Sequence, residues 1–372
     1  MKKEKIVYIC NEINLNSGWG VLNYYTIQEA LKEYSEVIVF TLINATNVTL
    51  KNNKNLKVFP ILKSMHDKIH KVFEVTMDKI KIKRNINVDT IDIVHVLVEP
   101  LLPLISIFKH SKKIFAIVGT YSGYPFNKGI NKKLYIKSLK SVDKIVSISE
   151  YTKTRFNNLY NHNIEVVPLG VDFNQFNKIS NVVSKKEKAF VFVGHIKERK
   201  GLIYSLMAFS EICKYDKDVI FYIVCAKQEG EYSEKCIQYI KDNNLSKQVG
   251  FLGKLNDDEL IGVYQKSMCN ILTSVNSNEH FEGFGLIHLE ANACGIPSLG
   301  SKGCGNESAI IEGKTGYLCE QKNIVDIKEK MQKIIADFDQ NNFGFWENSC
   351  KMYARNNDWS NYFKTMMERV YI

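Results

Sequence analysis

The chain has 372 residues, 45% of them hydrophobic and 24% charged, with a formal net charge of +10 at pH 7. That apolar fraction excludes a disordered chain, and the length exceeds one ordinary core, so two domains of roughly 150 to 200 residues are expected. No uncharged apolar run reaches the roughly 18 residues of a transmembrane helix, and nine scattered cysteines without a Cys-x-x-Cys pair suit a reduced cytosol, not a disulfide or zinc framework.

The lysine-rich start leads into an apolar run at 6–10 with no cleavage-like region, so it reads as a first strand and not a signal peptide. Gly18 and Gly20 then open a helical stretch at 22–33. A dinucleotide fingerprint wants a third glycine at position 23, and Asn23 stands there, which removes most of the support for a nicotinamide site. What remains is a glycine turn able to hold a phosphate or an acceptor, or an ordinary strand-to-helix turn. Short apolar runs at 37–40, 93–98, 114–118 and 145–148 follow, separated by helical stretches such as 132–140. This is the pattern of a doubly wound parallel sheet.

Two stretches in this half are basic. One holds Lys63, Lys68, Lys71, Lys79, Lys81, Lys83 and Arg84 against Asp67, Glu74 and Asp78; the other holds Lys128, Lys132, Lys133, Lys137, Lys140 and Lys144 against Asp143. They suit a face for an anionic membrane, where each cation contributes about 1 kcal/mol, or a solvated helix surface. Nucleic acid is not indicated, because no recognised binding motif accompanies the charge.

Pro168, Gly170 and the polar stretch 174–188 mark a domain boundary. A second strand series follows at 190–193, 220–225, 249–252, 270–273 and 297–299. The fold class is therefore α/β: two Rossmann-like doubly wound parallel-sheet domains, expected to face one another across a cleft at their carboxyl strand ends. The expected division is 1–168 and 169–355.

The second series opens on a strand ending at Gly194 and His195, then Arg199, Lys200 and Gly201 at a helix start. Adjacent cations there would stand beside a diphosphate; the plain alternative is a pair of surface cations. Further on, Glu282, Gly283, Phe284, Gly285 and Leu286 lead into an apolar helix that carries Glu290. The glycines allow close approach of backbone to a ligand, and the helix start offers N–H groups and a positive dipole end to a diphosphate. Glu282 lies where a sugar attached to that diphosphate would sit, and Glu290, two turns on, could reach ribose hydroxyls. A solvated acid before a turn and a helix-surface acid remain the alternative. Asp337-Phe-Asp339 falls in a polar helix-to-loop stretch and reads as solvated surface, so no metal site is indicated.

These motifs occur in a recognisable order. The turn at Gly18 and Gly20, the segments 146–152, 167–172, 192–201 and 249–253, the acidic motif, and the segments 313–318 and 359–371 together resemble the family 4 retaining glycosyltransferases of GT-B architecture, over most of the chain. The resemblance implies a metal-independent, cofactor-free enzyme that moves a sugar, with retention, from a UDP- or GDP-sugar to a hydroxyl of a glycan or glycolipid. Surface polysaccharide or glycoconjugate synthesis is the implied setting, in the cytoplasm or peripherally on the inner face of the membrane. It also implies that Lys200 stabilises the donor diphosphate, with Glu282 near the donor sugar and Glu290 on the ribose. Backbone from Gly283 to Leu286 would hold phosphate and sugar, and Gly253, Lys254 and Leu255 would pass near the base. Gly20, Gly194, His195 and Arg199 complete the donor side; a C-terminal helix from about 356 would return to the first domain.

Two positions depart from the family pattern. His195 stands where an arginine usually follows the strand glycine, and Arg199 is the substitute cation. Val118 stands where many members have a histidine, before Gly119, Thr120 and Tyr121 on the acceptor side. Valine cannot hydrogen-bond a sugar hydroxyl, so donor preference or acceptor handling is expected to differ; His95 either compensates or is a buried structural residue. A noncatalytic nucleotide-sugar binder and a GT-B epimerase or phosphorylase are the rival readings.

Overall fold

A computed structural model of the protein describes residues 3–47, 50, 54–63, 72–123, 126, 129–179, 186–277, 280–340 and 342–372. Asp67, Lys68, Lys71 and Lys128 of the basic stretches, and 180–185 of the polar boundary stretch, lie outside the described residues. The chain forms two units, Met1–Leu169 with Trp359–Ile372, and Gly170–Asp358. The sequence reading had put the breaks at 168/169 and near 356.

In the first unit, β1 (Lys3–Ile9), β2 (Tyr34–Leu42), β3 (Leu56–Leu62), β4 (Ile93–Val96), β5 (Lys112–Ile117), β6 (Lys144–Ser147) and β7 (Ile164–Val166) form one sheet in the order β3-β2-β1-β4-β5-β6-β7. Each neighbouring pair is parallel. The central strands are apolar on both sides because helices cover both faces of such a sheet; residues from Ile6 to Cys10 are wholly buried. Two strands of this unit escaped the sequence reading. β3 contains Pro60, tolerable at a sheet edge where no neighbour needs its missing N–H, and β7 is only 3 residues long.

The helices of this unit are α1 (Gly18–Glu33), α2 (Val72–Asn85), α3 (Gly129–Leu139) and α4 (Glu150–Asn157). Ser17 caps α1 by accepting the Gly20 N–H at 2.9 Å. The C-terminal helix Trp359–Arg369 lies against α1, with the Tyr25 and Trp359 rings stacked at 5.1 Å. Beyond it, the Tyr371 hydroxyl stands 2.8 Å from His95 Nδ1 and 3.1 Å from the Tyr8 hydroxyl. His95 is thus a buried structural residue, and burial holds its imidazole down at about 3 and neutral.

The second unit repeats the plan. β8 (Ala189–Val193), β9 (Ile220–Val224), β10 (Val249–Gly253), β11 (Cys269–Leu272), β12 (Ser298–Ser301) and β13 (Gly316–Cys319) are parallel in the order β10-β9-β8-β11-β12-β13. Its helices are α5 (Phe173–Phe176), α6 (Leu202–Ile212), α7 (Glu231–Asp242), α8 (Asp257–Lys266), α9 (Leu286–Ala293), α10 (Ile324–Asp339) and α11 (Phe343–Asn356). Phe190, Phe192, Leu206, Phe209, Phe221 and Leu299 centre its core. In both sheets the strands run third, second, first, fourth, fifth, sixth. The winding therefore reverses between the first and fourth strands, where open α/β sheets hold their ligands.

Asp339 is exposed, as the sequence suggests, and Asp337 is half-buried, and both have partners. Trp346 Nε1 donates to Asp337 Oδ2 at 3.1 Å, and Lys188 Nζ lies 2.7 Å from Asp339 Oδ1. These contacts tie the end of α10 to α11 and to the residue before β8. The nine cysteines are all buried and free. Among the described residues no helix is long and apolar enough to cross a membrane.

Candidate functional site

Three charged side chains of the second unit meet at its winding reversal. β8 runs through Gly194 and His195 into the 3-10 turn Glu198–Lys200, and β11 leads through Thr273 toward Glu282. Gly201 lets these two strand ends press together: its φ is +65°, and a Cβ there would stand 1.8 Å from the Thr273 carbonyl oxygen. Thr273 Oγ1 donates to the Gly201 carbonyl at 3.0 Å, and the Val275 N–H to the Arg199 carbonyl at 2.8 Å. The cations are thereby held by backbone against the loop that carries Glu282.

Arg199 Nη1 and Lys200 Nζ both meet Glu282 Oε2, at 2.6 and 2.7 Å. Glu282 is 8% exposed. Burial by itself would raise its carboxyl, but Lys200 and Arg199 outweigh burial and hold Glu282 down at about 2. Glu282 is therefore a carboxylate at any physiological pH, able to accept hydrogen bonds and unable to give a proton. Burial pulls the Lys200 ammonium below its ordinary value while Glu282 pushes the other way. Two cations against one carboxylate leave a net positive centre suited to an anion.

The helix after Glu282 adds a second anion-favouring element. Gly285, at φ +94°, begins α9, and no side chain caps that helix start. A Cβ on Gly285 would come within 2.7 Å of Asn306 Nδ2 and 2.8 Å of the His288 ring, so the turn is packed from behind. The Gly305 N–H donates to the Glu282 carbonyl at 2.8 Å, fixing the backbone that aims the carboxylate. His288 is buried and held neutral, at about 3, by burial; its Nδ1 stands 3.2 Å from Asn270 Nδ2.

The other donor-side candidates of the second unit stand beside β8, α9 and β10. His195 is exposed, and what burial it has, together with Lys197, Lys200 and Arg199, depresses its imidazole. Phe284 is buried. Glu290, on α9, accepts a long hydrogen bond from the Tyr264 hydroxyl at 3.4 Å, and burial, with Asp257 adding, raises its carboxyl to about 7. It makes no ion pair with Arg199 or Lys200, so the two glutamates of the motif do not act as one group. Gly253, Lys254 and Leu255 close β10 and lead to the capping residue Asn256 of α8, at the far edge of the sheet order. Among the described residues no group of three or more His, Cys, Asp or Glu could hold a metal ion.

The first unit has its own cluster at the corresponding reversal. Asn23 takes the place of the absent third glycine, its Nδ2 donating to Asn11 Oδ1 at 3.1 Å and to the Glu12 carbonyl at 2.7 Å. Trp19, one residue before Gly20, packs on Tyr121 with ring centroids 4.8 Å apart. This brings the glycine turn and the 118–121 segment together. The N–H groups of Val118 and Gly119 both donate to Glu99 Oε1, at 2.8 and 3.1 Å. Sequence reasoning missed Glu99; its signal was a single acid set inside the apolar run Leu97, Val98, Pro100, Leu101. It missed Tyr264, Asn270 and Asn306 too, whose partners lie far off in sequence.

Residues 173–344 match the family model described as glycosyl transferases group 1. A D-inositol 3-phosphate glycosyltransferase of Corynebacterium jeikeium is 27% identical over 190 residues, 47% of this chain and 44% of that protein. A poly(glycerol-phosphate) alpha-glucosyltransferase of Bacillus subtilis is 31% identical over 183 residues, 48% of this chain and 25% of that protein. The chain thus spans less than half the length of either relative. Among solved structures, HepE of Anabaena in complex with UDP and glucose superposes with a TM-score of 0.75 and 15% identity, covering 99% of both chains. At that identity the likeness establishes the fold, two Rossmann-like parallel-sheet domains of the GT-B class.

Proposed function

We propose, on the match of residues 173–344 to the glycosyl transferases group 1 model, that the chain transfers a sugar from a nucleoside diphosphate sugar to a hydroxyl of a glycan or glycolipid acceptor. The observation that carries the reading is the convergence of Arg199 and Lys200 on one oxygen of Glu282, at 2.6 and 2.7 Å, beside the uncapped start of α9. Breaking the bond from the sugar's anomeric carbon to the diphosphate sends an electron pair onto the leaving group. Preorganised cations and a helix N-terminus stabilise that charge as it develops.

In this reading Arg199, Lys200 and the backbone from Gly283 to Leu286 take the diphosphate. Glu282, permanently ionised, accepts hydrogen bonds from donor-sugar hydroxyls, and Glu290 does so from the ribose. Gly194 and His195 line the phosphates, and Gly253, Lys254 and Leu255 lie toward the base. No metal and no cofactor has a part. With no side chain assigned as nucleophile or general base, the acceptor adds on the face the diphosphate leaves, a departing phosphate oxygen takes its proton, and configuration is retained. Val118, Gly119, Thr120 and Tyr121 of the first unit form the acceptor side. Synthesis of a surface polysaccharide or glycoconjugate is the setting this chemistry fits.

An anionic membrane is part of the same reading. α2 exposes Phe73, at 74%, together with Met77 and Ile80 along one side, and it packs beside α3, whose Lys132, Lys133 and Lys137 are exposed. An apolar stripe bordered by Lys83 and Arg84 suits insertion at a lipid headgroup surface. Binding to vesicles containing phosphatidylglycerol should weaken with salt and on removal of charge at Lys132, Lys133 and Lys137; salt-independent or absent binding would sink this part.

For the enzyme itself, UDP-glucose with a panel of alkyl glycosides serves as the probe. Lys200→Ala should lower transfer by at least roughly tenfold in a folded protein. Turnover near that of the wild type would remove Lys200 from the site, and UDP binding by a wild type that turns over no donor would favour the noncatalytic reading.

A further inference from the structure

Glu99 is fully buried, begins the 3-10 segment Glu99–Ile107 just after β4, and sits among Val98, Leu101 and Leu102, all equally buried. A carboxyl in such surroundings has to be held by donors or it is costly. Its Oε1 takes two of them, the N–H groups of Val118 and Gly119 at 2.8 and 3.1 Å, at the turn where β5 gives way to Thr120–Ser122. Its Oε2 is buried without a partner among the described residues. Moving that turn would strip Oε1 of both of these donors. The turn's position is therefore coupled to Glu99, and through Tyr121 to the Trp19 ring 4.8 Å away.

We infer that Glu99 is a positioning residue for the glycosyl acceptor: through the Val118 and Gly119 amides it fixes where Thr120 and Tyr121 stand against Trp19. The inference rests on the reading of 118–121 as the acceptor side. It accounts for a turn whose leading side chain, Val118, cannot hydrogen-bond anything. The polar anchor comes from the segment that follows β4 and grips the backbone, so position 118 is free to be apolar.

The test uses the full chain with two substitutions. Glu99→Met keeps the side chain's size in an apolar site and removes the acceptor oxygens; Glu99→Gln keeps one oxygen. In Glu99→Met, amide hydrogen exchange at Val118 and Gly119 should quicken by about tenfold. KM for the best alkyl glycoside should rise by about tenfold while UDP affinity by calorimetry stays within about twofold. Glu99→Gln should restore most of both. Unchanged exchange in Glu99→Met overturns the positioning role, as does an equal loss of UDP affinity and acceptor KM that Gln fails to rescue. Faster exchange with an unaltered acceptor KM leaves the anchor standing and instead overturns the acceptor-side reading of the turn.

Discussion

Glu99 and Glu282 are the same side chain in corresponding places. Each follows the fourth strand of a sheet wound in the same order, each lies at the reversal, and each is buried. Their surroundings are opposite. Glu282 meets two cations at 2.6 and 2.7 Å, and its carboxyl is held at about 2. Glu99 meets only backbone N–H groups; burial dominates and drives its carboxyl to about 7. Burial alone thus raises a carboxyl, neutral donors only moderate the rise, and it takes full positive charges to reverse it. The second unit spends that charge on a site that can receive an anion. The first unit uses a carboxyl held only by backbone N–H groups to fix a turn.

The largest consequence is in stability. Glu282→Gln leaves Arg199 and Lys200 close together in a partly buried site with no counter-charge, which costs more than the roughly 1 kcal/mol of an exposed pair and up to about 3 kcal/mol. Glu99→Gln keeps an oxygen for the Val118 and Gly119 amides and strands no charge, so its cost should stay within about 1 kcal/mol. Urea unfolding at neutral pH, followed by circular dichroism, measures both. Equal losses would mean that the cations around Glu282 relax into solvent, and the contrast between the two sites would fail.

Much of this was readable from the chain because it is local. Ten of the strands are short apolar runs, and the charged residues declare themselves by spacing at two strand-to-helix turns, Arg199 and Lys200 after β8 and Glu282, Gly285 and Glu290 after β11. The edge strands β3, β7 and β13 were not readable: an exposed run with Pro60, a run of 3 residues and the short Gly316–Cys319 carry no apolar periodicity. Asp337 looked solvated because its partner, Trp346, is brought to it by a turn between two helices. Glu99 was hidden for a related reason. Its partners are main-chain N–H groups 19 and 20 residues away, which every residue but proline possesses, so no pattern of residue types announces them.

The smaller and more discriminating test separates the glutamates by pH. A carboxyl raised from 4.5 to about 7 in the folded chain adds stability only while protonated, so that contribution is full below pH 4.5 and is lost as pH climbs through 7. A carboxyl lowered from 4.5 to about 2 does the reverse: its contribution is full above 4.5 and is lost as pH falls through 2. Glutamine titrates at neither place. Glu99→Gln should therefore gain on the wild type between pH 5 and 7, with an upper slope of about 1.4 kcal/mol per pH unit. Glu282→Gln should show a constant deficit across that window and close the gap only in acid. Tyr135 is the other titratable group whose ionisation Glu99 influences, and burial keeps its phenol far above this range, so it cannot supply the slope. A Glu99→Gln curve parallel to the wild type from pH 5 to 7 would show that the buried carboxyl keeps its charge, and that two backbone amides do for Glu99 what two cations do for Glu282.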